Sequence, residues 1–377
     1  MSSLVKALIS LSLGLHCLLF NAKCKLRVVT SITIGLIIFI GLQLVLYNNI
    51  NILKILGINL FLFHLIALNG RIELMHYLNM GMKICSFLIT ISVCFLAYKF
   101  QALEYFRADA IIDKSAITSF YSITFIFLLV DIVYGKYKSF NLLLLGLLLG
   151  TDVVIVNSKI SLFLFGVSFL LLYLIGDIKV KAYLKKIIIG GLIIILILIT
   201  AFPDLVIPDD LKYSINKITG YDLFTDFVRS EERMDATYNI RGDLWNFCIN
   251  KLFFSNPMLG IGIGEFEDYT KHGPMSIREL TETESSMLSV ITEGGLLYFS
   301  LMICLFFSTI RGAYKKLTSY KTPENVTLFL FFVVYPIMMI GNDFLDSLYW
   351  IQMGIMVNFL YSPTSRMDRR TVSKSGQ

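Results

Sequence analysis

The run KIIIGGLIIILILITAFP occupies residues 186–203 and contains one charged side chain, Lys186. A helix needs about 20 mostly apolar residues to cross the hydrocarbon core of a bilayer, within a range of about 17–25. This run therefore predicts a membrane-spanning helix. It ends at Pro203, where a long hydrophilic segment begins.

The composition of the whole chain agrees with this prediction. Of its 377 residues, 56% are hydrophobic and 16% are charged. In a soluble domain about 45–50% of residues are apolar and about 25% are charged. The net charge of +6 indicates basic cytoplasmic loops rather than a nucleic-acid partner. The six cysteines form no CxxC pair, and no Asp, Glu or His cluster has metal-ligand spacing, so we expect no disulfide framework, metal or cofactor.

About eleven segments are long and apolar enough to be membrane helices. The first of them, which follows Lys6, resembles a signal peptide but lacks a small-residue cleavage site, so we interpret it as a membrane helix. The sequence predicts an all-α, polytopic membrane helix bundle with one large external loop that contains short helices. The predicted spans are 4–20, 28–47, 52–69, 82–98, 117–134, 140–156, 160–176, 186–203, 286–310, 326–341 and 345–361.

Basic residues gather in every second loop of this bundle, and Lys83, Lys179 and Lys186 belong to that set. Because basic loops stay in the cytoplasm, the pattern predicts a cytoplasmic C-terminus and an external N-terminus. The same alternation places the long hydrophilic segment outside. Three regions follow: membrane helices in 1–203, a large external loop in 204–283, and membrane helices with a cytoplasmic tail in 284–377.

The external loop is too long to be structureless in a compact protein, so we expect short helices within it. Apolar residues at helical spacing predict one helix over 241–254, which ends before Pro257 because proline cannot continue it. Trp245 suits the membrane interface. The glycines that follow, in GIGIG at 260–264, lack the flanking strand of a nucleotide fingerprint and indicate a turn in which backbones approach closely.

Three separated pieces of sequence resemble one protein family. They are Asn157-Ser-Lys159-Ile-Ser161, the Arg241-x-x-x-Trp245 helix with the glycine turn that ends at Phe266, and the stretch from Glu284 to Gly295. In order and spacing they are similar to the bacterial O-antigen polymerase (Wzy-type) and O-antigen ligase superfamily. The resemblance covers about residues 150–310.

The resemblance implies a glycosyltransferase of the bacterial inner membrane, with the large loop in the periplasm. Its substrate would be an undecaprenyl-diphosphate-linked oligosaccharide, whose glycan is transferred to the terminal sugar of another lipid-linked unit. Membrane lipid would surround it, and a chain-length regulator and a flippase of the same pathway would be partners. Ligases of the superfamily use lipid A core as the acceptor instead. Where they carry His-Asn, this chain has Glu284-Ser285, which favours the polymerase.

The resemblance also assigns roles to particular residues. Lys159 stands where many members have Arg, and together with Arg241 it would bind the diphosphate, whose developing charge fixed cations stabilise. Arg229 and Arg233 are further candidates for that contact. Glu284 would be the base that takes the proton of the acceptor hydroxyl.

Simpler interpretations of these residues remain open. Lys159 suits snorkelling at a helix end, and Arg229, Arg233 and Arg241 suit a solvated loop. Glu284 suits the first turn of a helix capped by Thr281 or Thr283. Two other residues are candidate bases, Glu282 and His272.

Acids inside apolar segments indicate either function or a buried pair. Asp131 lies within a predicted span, and Asn342, Asp343 and Asp346 lie between the last two. The latter group would face outside and bind sugar hydroxyls, or would form a polar turn. A flippase or transporter for lipid-linked oligosaccharides is the main rival function, although no internal repeat of the kind found in transporters is evident.

Overall fold

The structure is a computed structural model that describes residues 27–47, 74–99, 114–135, 138–152, 156, 158–201, 240, 242–274, 277, 285–341 and 347–361. Every regular element within these ranges is helical, which confirms the all-α prediction. The elements in chain order are α1 (Arg27–Tyr47), α2 (Leu74–Lys99), α3 (Lys114–Val133), α4 (Lys138–Thr151), α5 (Lys159–Ile175), α6 (Ile178–Ala201), a π-helix (Phe247–Phe253), α7 (Phe266–Thr270), α8 (Ser286–Ser319), α9 (Pro323–Gly341) and α10 (Ser347–Tyr361).

Two of these helices are long and apolar enough to cross a membrane, over Met75–Phe95 and Ser286–Ser319. Six shorter apolar helices of 10–17 residues accompany them among the described residues. These helices support association with a membrane. The number of membrane spans stays a prediction. The predicted spans 4–20 and 52–69 lie outside the described residues.

Two helices begin earlier than the hydrophobic pattern predicted. α2 begins at Leu74 rather than residue 82, and α6 begins at Ile178 rather than residue 186. Lys179 and Lys186, which we assigned to a loop, therefore lie in α6. The assignment of Lys83 to a loop is also wrong, because it lies inside α2, where its ammonium pairs with a carboxylate.

The chain divides into two compact units, of which the second comprises Gly81–Leu244. Helix α3 is the core of this unit, since nearly every side chain from Ile117 to Ile132 is buried. It packs against α4 and α5. Polar side chains of α3 bond to neighbouring helices, as hydroxyl groups do where lipid offers no partner. Thr124 meets Ser86 and Tyr121 meets Thr90, each at 2.7 Å between oxygens.

The first unit comprises Met1–Met80 and Trp245–Gln377, and α8 is its central helix. α8 packs against α1, α9, α10 and the π-helix. The ring of Tyr298 in α8 stacks on Phe39 of α1 with centroids 5.2 Å apart. Near the other end of α8, the Lys316 ammonium donates to the Phe359 carbonyl of α10 at 2.6 Å. Cations stabilise a helix C-terminus in this way.

Candidate functional site

Helix α8 is interrupted at Gly295, whose φ of 64° and ψ of −168° are not helical. A side chain at that φ would be strained, so glycine is the residue that permits the break. An interruption of a helix deprives nearby carbonyl and amide groups of their i→i−4 partners. In lipid such groups cost several kcal/mol each unless other protein groups bind them.

The glycine-rich loop of residues 256–265 supplies the missing donors. The amides of Ile261 and Gly262 donate to the carbonyls of Thr292 and Glu293, at 3.0 and 3.1 Å. These carbonyls lie in the last turn before the break.

The same loop also supplies acceptors to the segment after the break. The amides of Leu296 and Leu297 donate to the carbonyls of Pro257 and Met258, at 2.8 and 3.1 Å. Four backbone bonds thus join the loop to α8 on the two sides of the break. We call residues 256–265 together with residues 292–297 the helix-break junction.

Two glycines make this close approach possible. A Cβ on Gly260, which has φ +72°, would lie 2.3 Å from the Glu293 carbonyl oxygen. A Cβ on Gly295 would lie 2.5 Å from the Gly260 amide nitrogen. The glycine turn predicted from the sequence is therefore a contact of backbone with backbone.

Side chains hold the loop from two directions. The Gln43 amide of α1 donates to the Leu259 carbonyl at 2.6 Å, and the Tyr47 hydroxyl donates to the Gly260 carbonyl at 2.5 Å. The Asn256 amide in turn donates to the Tyr47 hydroxyl at 2.5 Å. From α8, the Glu293 carboxylate accepts the Gly264 amide at 2.7 Å.

These bonds argue against a phosphate cradle in the glycine loop. Anion-binding loops point several backbone amides at the ligand. Here the amides of Gly260, Ile261, Gly262, Gly264 and Glu265 all donate to protein oxygens. The loop therefore serves the junction, and a diphosphate would need side-chain cations instead.

The predicted site residues are not themselves described. Arg229, Arg233, Arg241 and Glu284 lie outside the described residues, as do Glu282 and the group Asn342, Asp343 and Asp346. Lys159 is the first residue of α5, but its side chain is not described. His272, the alternative base, is exposed just after α7.

The structure does join two of the three sequence pieces that carry the family resemblance. The glycine turn of the second piece and the end of the third piece form the helix-break junction. The first piece lies in the other unit, where Ser158 caps α5 by accepting the Ser161 amide at 3.3 Å. The Thr118 hydroxyl donates to Ser158 at 2.8 Å, and Ser161 bonds to the fully buried Asp152.

The residue after Glu284 is the cap of α8. Ser285 accepts the Leu288 amide on its hydroxyl oxygen at 3.4 Å, so the predicted cap at Thr281 or Thr283 is wrong. The same hydroxyl donates to the Met339 carbonyl of α9 at 3.4 Å. The beginning of α8, directly after Glu284, is therefore held against its neighbour.

The helix predicted over residues 241–254 is present over residues 242–255. Its middle is the π-helix, and it ends before Pro257 as expected. Leu244, Cys248 and Leu252 are buried, whereas 39% of Trp245 is exposed. The interfacial position of Trp245 stays a prediction. Comparison of the sequence with models of known families finds no match, and comparison with curated proteins finds none either.

We predict that Cys248 resists alkylation in the folded protein. Burial, with a smaller contribution from the charge of Glu293, raises the pKa of its thiol to about 12. At pH 8 about one thiol in ten thousand is then the reactive thiolate. Mass spectrometry after iodoacetamide treatment should find Cys248 unmodified in the folded protein and modified after denaturation. Tyr269→Cys, at an exposed position nearby, should react quickly, and equal rates at the two positions would contradict the prediction.

Proposed function

We propose that this chain is a multi-pass glycosyltransferase that polymerises lipid-linked polysaccharide repeat units. The observation that supports this most directly is the helix-break junction. It joins two sequence pieces that resemble the O-antigen polymerase and ligase superfamily, although the 17 residues 267–283 separate them along the chain. Irregular backbone inside a span is tolerated where it is buried in protein or lines a water-filled cavity.

The proposal includes the finer topology that the charge pattern predicts. About eleven helices would cross the bacterial inner membrane, with the C-terminus in the cytoplasm. The loop 204–283 would then lie in the periplasm. The external end of α8 would be its beginning, so Glu284 and the helix-break junction would be near the periplasmic surface, where the lipid diphosphate headgroup lies.

The reaction breaks the bond between the sugar C1 and the diphosphate oxygen and forms a bond from C1 to the acceptor oxygen. The acceptor hydroxyl loses its proton to the Glu284 carboxylate. The bonding pair leaves with undecaprenyl diphosphate, and the fixed cations of Lys159 and Arg241 stabilise the charge that develops there. Arg229 and Arg233 would contribute further charge.

One observation favours a second candidate, a flippase or transporter for lipid-linked oligosaccharide. Transporters bind substrates at helices that are broken near the midplane, and α8 is broken. Unlike those helices, α8 has its broken ends bonded to a loop. A ligase is the third candidate, and its acceptor would be lipid A core.

The ladder pattern of surface polysaccharide in a deletion strain separates these candidates. Loss of polymer with a single repeat unit retained indicates a polymerase. Loss of all repeat units from lipid A core, with polymer retained on the carrier lipid, indicates a ligase. Loss of both indicates a flippase.

We predict that Glu284→Ala and Arg241→Ala fail to restore polymer in the deletion strain. Removing a general base costs about 10²–10⁴-fold in rate, so the ladder should collapse to single repeat units while the protein remains in the membrane. Glu267→Ala and Lys251→Ala remove exposed charges in the described segment 242–274 and should restore the full ladder. Full ladders from both Glu284→Ala and Arg241→Ala would refute the site assignment.

A further inference from the structure

The first turns of α8 form a short segment, residues 285–294, which begins directly after Glu284 and ends at the break. We call it the outer segment of α8. Because Gly295 interrupts the helix, the helical bonds that normally keep such a segment in line with the rest of α8 are missing. Its direction therefore depends on other contacts.

The outer segment is held at both of its ends. At the beginning, the Ser285 hydroxyl donates to the Met339 carbonyl of α9. At the end, the carbonyls of Thr292 and Glu293 accept amides of the glycine loop. Buried Leu288 and Val290 pack the segment between these points.

Glu293 makes two different bonds to the loop. Its carbonyl accepts the Gly262 amide at 3.1 Å, and its carboxylate accepts the Gly264 amide at 2.7 Å. The backbone and the side chain of Glu293 therefore bind two different loop residues, which lie two positions apart in the sequence. A bond from an amide to a carboxylate is charge-assisted and roughly twice as strong as a neutral one.

We propose that Glu293 is a positioning residue for the transfer reaction, which fixes the glycine loop and thereby the outer segment that leads from Glu284. This inference rests on the proposed function. The carboxylate accepts a hydrogen bond and takes no part in proton transfer. The reactive proton goes to Glu284, and Glu293 determines where the chain around Glu284 is held.

Two substitutions separate positioning from direct chemistry. Glu293→Gln keeps an oxygen that accepts the Gly264 amide but is not a base, whereas Glu293→Ala removes the bond. We expect Glu293→Ala to lower kcat about tenfold to a hundredfold, because a misplacement of about 1 Å costs on the order of a hundredfold. KM should change less than threefold, since Glu293 is not one of the cations proposed to bind the diphosphate. Glu293→Gln should stay within about threefold of the wild type.

The experiment uses the full chain in nanodiscs and the undecaprenyl-diphosphate-linked repeat units that accumulate in the deletion strain. Polymer formation gives kcat and KM for the wild type, Glu293→Ala, Glu293→Gln and the control Glu267→Ala. Hydrogen exchange of residues 256–265 is measured on the same samples. Exchange at Gly264 should be about tenfold to a hundredfold faster in Glu293→Ala and close to the wild-type rate in the other two variants.

Each other outcome overturns the proposal in a recognisable way. Wild-type activity in Glu293→Ala, with faster exchange, shows that the junction has no effect on the reaction, and the proposed function survives. Equal inactivity of Glu293→Ala and Glu293→Gln, with exchange unchanged in Glu293→Gln, shows that the carboxylate itself reacts. A wild-type protein that forms no polymer from these repeat units refutes the proposed function as well, whatever the exchange rates are.

Discussion

Gly260→Ala should strongly destabilise the first unit, in which the glycine loop packs against α8. The new Cβ would lie 2.3 Å from the Glu293 carbonyl oxygen and 2.4 Å from its carbonyl carbon. Both atoms belong to backbone that is already bonded to the loop, so neither can move away cheaply. Alanine at φ +72° adds a cost of about 1–2 kcal/mol. We expect a loss on the order of 4–5 kcal/mol in the free energy of unfolding, at the top of the range for single substitutions.

The measurement is the melting temperature and yield of the full chain in detergent, with Gly41→Ala as the matched control. Gly41 lies in α1 of the same unit, and a Cβ there would meet nothing within 4 Å. Alanine favours a helix over glycine by about 1 kcal/mol, so this variant should be as stable as the wild type or more stable. A Gly260→Ala protein with the same melting temperature as the Gly41→Ala variant would disprove the close contact.

Helix positions could be predicted from the sequence because they depend on local apolar content. Nine of the predicted spans overlap described helices, with ends that differ by up to nine residues. The early start of α2 was missed because His76, Tyr77 and Asn79 lower the apolar content of its first turns. The pattern does not predict the early start of α6, because Lys179, Lys181 and Lys185 in its first turns resemble loop residues. Long basic side chains, however, extend readily from a helix end to water.

The helix-break junction could be predicted only in part. The acid Glu293, followed by two glycines in an apolar helix, indicates irregular backbone. The glycine turn at 260–264 predicts a place where two backbones approach closely. Its partners were not visible, because the bond from Tyr47 to Gly260 joins residues 213 positions apart. No periodicity encodes such a pairing. Asp152 was likewise missed, since its contact with Ser161 depends on how α4 and α5 meet.

Breaking the ion pair between Lys83 and Asp131 should strongly destabilise the second unit. The Lys83 ammonium lies 2.5 Å from Asp131 Oδ2 and donates to Asn141 Oδ1 at 3.2 Å. The two side chains are only 15% and 10% exposed. Removing one partner leaves the other buried charge without its counter-ion, which costs about 3–5 kcal/mol. Lys83→Met or Asp131→Leu alone should therefore lower the melting temperature by roughly 6–20 °C, at about 2–4 °C per kcal/mol.

The double variant Lys83→Met with Asp131→Leu decides whether the pair is structural or functional. Replacing both charges by apolar groups is often neutral for stability, so the double variant should melt near the wild type, as should the exposed control Lys179→Ala. Intramembrane charges are otherwise a mark of function. Asp131 of α3 is paired with Lys83 of α2, so under the proposed function we expect the double variant to make a normal polymer ladder. A stable double variant that makes no polymer would instead place this pair in the reaction itself.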